Sequence, residues 1–135
     1  MLEALNSSFS DIDFAADSML YHGETASGQT LVRVPVERLI EVLTFLKDDP
    51  RTAAEQLCDL TCVDYLDFPG ATSRFGVTYS LTSISLGHRL WVRCFVDEPN
   101  LTVPSACSLW SAADWLEREV YDLFGIQSVS PIIVK

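Results

Sequence analysis

Apolar residues recur at helical spacing over two stretches of the chain and at every second position over two others, and these periods predict the elements. Leu109 to Ile126 (LWSAADWLEREVYDLFGI) carries the strongest helical signal. Ala112, Ala113, Leu116, Val120, Leu123 and Phe124 fall on one arc of the wheel. Ser111 is expected to cap the first turn with Asp114 as its box partner, and Gly125 to end the helix in a left-handed conformation. Asp114 and Arg118 form an i,i+4 pair in the favourable order. Pro35 precedes Val36, Leu39, Ile40, Leu43 and Leu46 or Phe45, which predicts an amphipathic helix over Val36–Lys47, stopped by Asp48-Asp49-Pro50. Met1 to Ser8 has room for a short helix anchored by Leu2 and Leu5.

The period-two stretches predict a hairpin. Phe75, Val77, Tyr79 and Leu81 share one strand face, with Gly76, Thr78, Ser80 and Thr82 on the other. Gly87-His88 supplies the turn, and Leu90, Val92, Cys94 and Val96 alternate on the return strand. Gln29 to Val34 reads as a further strand, and Asp11 to Leu20 as a weak edge strand followed by a polar connection. Gln56 to Tyr65 reads as a short helical turn or loop feeding a strand that ends near Asp64. After the break at Asp97 to Asn100, Val103-Pro104-Ser105 leads extended into the last helix. This order of elements predicts an α+β domain: a two-layer sandwich, with a mostly antiparallel sheet and the helices packed on one face.

Charge narrows the function. Nineteen acidic against nine basic residues leave a formal net charge of −10. That argues against nucleic acid, whose phosphates need clustered Lys and Arg, and against docking on anionic lipid. No apolar run approaches the ~18 residues of a membrane span. The first basic residue, Arg33, follows five acidic ones, so neither a secretory signal nor a transit peptide is expected. The four cysteines, Cys58, Cys62, Cys94 and Cys107, are then expected as reduced thiols. Cys58 and Cys62 with His22 and His88 match a zinc site only loosely, because structural zinc sites use close ligand pairs. No nucleophile elbow, phosphate loop or clustered cysteine run is present. No catalytic, cofactor-binding or metal-binding residue is therefore expected.

Glu117 and Glu119 are more informative. At about 100° per residue they flank the apolar arc on opposite edges, while Arg118 points away. They cannot converge on one substrate atom, which excludes an acid/base pair. Two readings stand: boundary glutamates of a surface helix, or a charged triplet at the rim of a protein contact that gives partner specificity. Trp115, outside the core arc and beside Arg118, fits an interface anchor as well as helix–sheet packing. Asp64 ends a strand, where its carboxylate can cap a turn.

The string WLEREVYDLFGI resembles the signature helix of the thirty-kilodalton subunit family of respiratory complex I, the C-subunit of bacterial NADH:quinone oxidoreductase. Leu57 to Tyr65 (LCDLTCVDY) and Val103-Pro104-Ser105 resemble the family in the same order, so that the likeness spans roughly residues 30 to 126. The resemblance implies a single domain over residues 1–126 and a short divergent or truncated tail over 127–135. In the family a His-Pro-x-Leu-Arg-Arg type segment and a long extended tail follow the helix. Here Pro131 stands near that place without the histidine or the arginine pair.

By resemblance, the chain is a structural and assembly subunit of the peripheral arm of a proton-translocating enzyme, with no active site of its own. It braces the hydrogenase-like subunit of forty-nine kilodaltons and contacts other peripheral-arm subunits, which carry the FMN and iron–sulfur clusters. Glu117, Arg118, Glu119, Asp122, Trp115 and Asp64 are then the expected partner-interface residues. The implied location is the cytoplasmic face of a bacterial inner membrane, or the matrix side in a mitochondrion, with no direct membrane insertion. The alternative within this class is the equivalent subunit of a membrane-bound hydrogenase or another quinone-reducing relative. A free-standing metal-binding or hydrolytic domain is the alternative outside it.

Overall fold

The alternating stretches form neighbouring strands at the centre of the molecule. A computed structural model describes residues 2–12, 30–66, 74–97 and 100–129. In it Phe75–Ser83 (β3) and His88–Val96 (β4) pair antiparallel, with Tyr79 opposite Val92. Gln56–Asp64 (β2) pairs antiparallel with β3, and Thr30–Arg33 (β1) pairs in parallel with β4. The order β1-β4-β3-β2 makes a mixed, mostly antiparallel sheet with β2 at one edge. Leu2–Ser8 is a short helix (α1), and the main helices are Leu39–Asp48 (α2) and Ala113–Phe124 (α3). The fold is the expected α+β class.

Phe75, Val77, Tyr79 and Leu81 of β3 and Leu90, Val92, Cys94 and Val96 of β4 are buried in one apolar core. Leu39, Val42, Leu43 and Leu46 of α2 and Ala113 and Val120 of α3 complete it. Each such leucine contributes roughly 1.5–3 kcal/mol by leaving water. Trp110 is buried as well, and its indole N–H donates to the Ala54 carbonyl at 3.1 Å, which ties the approach to α3 to the exit of α2.

The polar side of β3 is buried too, because Thr78 and Ser80 are 5% exposed. Arg93 lies across it with Nε donating to Thr78 Oγ1, and its guanidinium stands 5.7 Å from the centre of the Tyr65 ring. Gly76 makes that layer possible: a Cβ there would meet the Tyr65 ring at 2.9 Å.

Several local expectations change. Residues 56–64 are strand throughout, with a bulge between Leu57 and Asp59 in place of a helical turn. His88 belongs to β4, so the hairpin turn is residues 84–87, with Gly87 at φ 68°. Val36–Arg38 is a 3-10 turn ahead of α2. The helix expected from Leu109 begins at Ala113, and Ala112 at its N-cap makes no side-chain capping bond, so the Ser111–Asp114 box is not formed. Gly125 does end it in the left-handed region, at φ 73°. The fold continues past residue 126, since Gln127–Val129 (β6) pairs in parallel with Thr102–Pro104 (β5). The expected edge strand at Asp11–Leu20 lies outside the described residues except for Asp11 and Ile12.

Candidate functional site

α3 lies over the edge strand β2 rather than over the middle of the sheet, and β6 runs along one of its flanks. That placement rotates its buried face from the expected one. Ala113, Glu117 and Val120 are buried and Phe124 packs edge-on to Phe75. Leu116 is half-buried, Ala112 is exposed, and Leu123 is 69% exposed. An apolar residue stays in water where no strand lies beneath its flank.

Glu117 is the main correction among the candidate residues. It is 6% exposed and does not stand at a rim. Its carboxylate accepts three hydrogen bonds from the turn after β5: Ser105 Oγ at 2.7 Å, the Ala106 N–H at 2.8 Å and Cys107 Sγ at 3.2 Å. A buried carboxylate requires such donors, since an unpaired buried charge costs several kcal/mol. The pairing joins Val103-Pro104-Ser105 to the signature helix, so two segments singled out in the sequence meet in space. Ser105 and Cys107 were missed as members, because nothing in their local pattern points to a residue 10 or 12 positions away.

These residues floor a groove of about 510 Å³ between α3 and the β5–β6 pair, lined also by Asp114, Arg118, Tyr121 and Gln127. Burial pushes the Cys107 thiol up; the hydrogen bond with Ser105 opposes this, and the hydrogen bond to Glu117 and its negative charge add to it. The groove thus holds a protonated thiol rather than a nucleophile.

The remaining interface candidates on α3 point outward. Trp115 is 70% exposed, and Arg118, Glu119 and Asp122 are exposed with it. Arg118 pairs with Asp114 at 3.2 Å along the helix surface. Among the described residues Glu119 and Asp122 have no ion-pair partner. Leu123 adds to this apolar area, where it was not expected, while Tyr121, 55% exposed, lies on the groove flank of the helix. Asp64 is engaged within the chain: it accepts from the Leu66 N–H at 3.0 Å and pairs with Arg74 at 3.1 Å, and the Arg74 guanidinium lowers its pKa. It caps the end of β2 and is not joined to the α3 cluster.

Cys58, Cys62, Cys94 and Cys107 are free thiols. Among the described residues no group of three or more His, Cys, Asp or Glu could hold a metal ion. His22 lies outside those residues. No helix among them is long and apolar enough to cross a membrane.

Comparison with known proteins bears on this geometry directly. The family described as "Respiratory-chain NADH dehydrogenase, 30 Kd subunit" matches residues 32–130, from the second half of β1 through β6. The chain belongs to this thirty-kilodalton subunit family of respiratory complex I. Among its relatives, the NADH-quinone oxidoreductase C-subunit of Caulobacter vibrioides is 39% identical over 126 residues, covering 93% of this chain and 61% of that protein. The C-subunit of Rhodopseudomonas palustris is 42% identical over 99 residues, covering 73% of this chain and 47% of that protein. The chain therefore spans about half to three-fifths of the length of these relatives.

A solved trypsin-resistant fragment (1-134) of Nqo5 superposes with a TM-score of 0.73 at 31% identity, over 96% of this chain and 99% of that one. A chain from a membrane-bound sulfane sulfur reductase, an archaeal respiratory membrane complex, superposes with a TM-score of 0.66 over 96% of this chain and 71% of its own. At 19% identity that likeness shows the shared fold alone. The α+β domain of the thirty-kilodalton subunit family is thus the unit described by this structure.

Proposed function

We propose that this chain is a non-catalytic structural subunit of the peripheral arm of a proton-translocating NADH:quinone oxidoreductase. It braces the hydrogenase-like subunit of forty-nine kilodaltons, with FMN and iron–sulfur clusters held by partner subunits and none by this chain. It works on the cytoplasmic side of a bacterial inner membrane, held there by the complex rather than by a span of its own.

One observation carries this reading. α3 turns Trp115 and Leu123 outward beside Glu119 and Asp122, whose charges find no ion-pair partner among the described residues. Large apolar side chains next to unpaired charges are the composition of a docking surface, with aromatic anchors and a polar rim. Glu117 takes no part in that surface, because its acceptor oxygens are already engaged inside the domain.

The test is co-purification of the tagged chain with the hydrogenase-like subunit of the same genome. Trp115→Ala is expected to lose the partner while keeping the wild-type melting temperature. Failure of the wild-type chain to retain that subunit, or any other subunit of the complex, would overturn the assignment.

A further inference from the structure

Among the described residues β2 is an edge strand, with no strand on its outer side. Hydrogen bonding along an antiparallel strand alternates, and Tyr65 donates its N–H to the Arg74 carbonyl on the β3 side. Thr61 and Val63 share that parity, so the peptide groups of Leu60, Cys62 and Asp64 face away from the sheet. Two outward N–H groups on this edge are covered by the strand's own carboxylates: Leu60 by Asp59 at 2.9 Å and Leu66 by Asp64 at 3.0 Å. The N–H groups of Cys62 and Asp64 and the carbonyls around them have no strand partner among the described residues, since β2 pairs only with β3 there. An uncovered strand edge is a template for another strand.

α3 roofs this edge. Leu60, Cys62 and Asp64 share the face of the sheet that carries Val77 and Phe75, on which α3 lies. The flank of α3 turned away from β6 presents Leu116, Glu119 and Leu123. Leu116 is only half-buried and Leu123 is largely exposed, so no described element covers them. The open edge and the uncovered flank adjoin, because α3 packs over β2.

We propose that an extended segment of a partner polypeptide, alternating apolar and basic side chains, adds to β2 as a fifth strand beneath this flank of α3. Main-chain bonds to Cys62 and Asp64 set its register, Leu116 and Leu123 receive its apolar side chains, and Glu119 receives a lysine or arginine. Charge selects the occupant. A second copy of this chain would bring two surfaces carrying Glu119 and Asp122 together, within chains of net charge −10. A basic segment neutralises them instead. The proposal rests on the reading above that the chain is held in a respiratory complex.

Amide hydrogen exchange on the chain, free and within the purified complex, separates the outcomes. In the free chain the Cys62 and Asp64 amides are expected to exchange quickly and those of Thr61 and Val63 slowly. In the complex, Cys62 and Asp64 are expected to slow by about a hundredfold or more, as amides do when a ladder closes over them. A photo-crosslinker at Leu123 is expected to join a lysine- or arginine-bearing segment. An assembled complex in which Cys62 and Asp64 stay as fast as in the free chain overturns strand addition and leaves the subunit assignment standing. Concentration-dependent protection of the free chain also overturns it, because the occupant would then be a second copy. A chain that enters no respiratory complex overturns the assignment and the proposal together.

Discussion

Replacing Glu117 by alanine is expected to destabilise the free domain, although by sequence it looks like one of several surface acids. The cost follows from the donors left behind. The Ala106 N–H is backbone and fully buried, so it can neither turn away nor reach water, a penalty of about 1–3 kcal/mol. The Ser105 hydroxyl can rotate but remains 8% exposed, which adds roughly 1 kcal/mol. Cys107 is a weak donor and half-exposed, and adds little. Relief of the buried carboxylate's desolvation offsets part of this, leaving a net loss of about 1–3 kcal/mol. That is a large share of the ~5–15 kcal/mol that holds a domain folded. At about 3–4 °C per kcal/mol, melting should fall by roughly 3–12 °C.

Urea unfolding of Glu117→Ala, Glu117→Gln and Glu119→Ala side by side measures this. Glutamine keeps one acceptor for the Ala106 N–H but presents an NH2 group to the other donors, so about half the loss is expected. Glu119→Ala, on the exposed side, should stay within about 0.5 kcal/mol of wild type. If Glu117→Ala also stays there, or if Glu119→Ala is the worse of the two, α3 is rotated from the orientation described. The link between Ser105 and the helix would then be wrong.

Trp115→Ala is expected to unfold within about 0.5–1 kcal/mol of wild type but to weaken assembly by about 2 kcal/mol or more, as loss of an exposed anchor does; a melt beside a pull-down checks it, and equal losses in both would make Trp115 a packing residue. The Glu55 carboxyl is held down to about 2, first by the Ser85 hydroxyl and then by the Ile84 N–H. Its contribution should be complete above an unfolded pKa of about 4.3 and be lost as pH falls toward 2, and Glu55→Gln should lose that slope; identical slopes for the two proteins contradict the capping of the hairpin turn. Cys58 is exposed and should be alkylated first, while Cys94, buried and pushed up to about 12 by desolvation, should react only on unfolding; equal rates under native conditions would refute that burial. Val120→Ala, 4% exposed, should cost about 1–2.5 kcal/mol in the same urea series, and is a sounder core control than Leu116→Ala, because Leu116 is only half-buried.

The hairpin and α2 were legible in the sequence because their burial has the period of the element that carries it. Phe75 to Leu81 and Leu90 to Val96 alternate as expected, and Leu39, Leu43 and Leu46 face the core. The resemblance to the thirty-kilodalton subunit family was legible as well, from the WLEREVYDLFGI string. What failed was set at long range. By sequence β2 reads partly as a helical turn, because Leu57 and Leu60 stand three apart across its bulge. Strand β6 has only three residues, and its parallel partner β5 lies on the far side of α3 in the chain. Wheel geometry placed Glu117 at the edge of an apolar arc, whereas the buried face takes it in. It could not show which edge meets the donors of residues 105–107.

That last point changes how the ERE triplet is read. Successive helical residues point about 100° apart, so three adjacent charges cannot share one environment on a helix packed on a single side. Glu117 faces the sheet and fastens the turn after β5. Arg118 faces the solvent and answers Asp114 one turn back. Glu119 faces the uncovered flank with no ion-pair partner among the described residues, and is the one the proposed contact would use. A string that looks like one motif therefore acts as three parts, and their disruption should divide accordingly. Loss of Glu117 acts on the fold, and on assembly only through it. Loss of Arg118 removes an exposed i,i+4 pair worth about 0.3–0.5 kcal/mol. Loss of Glu119 acts on assembly alone. Exchanging the two glutamates' roles is not possible without turning α3 almost halfway about its own axis, which would put Trp115 into the core and Val120 into water.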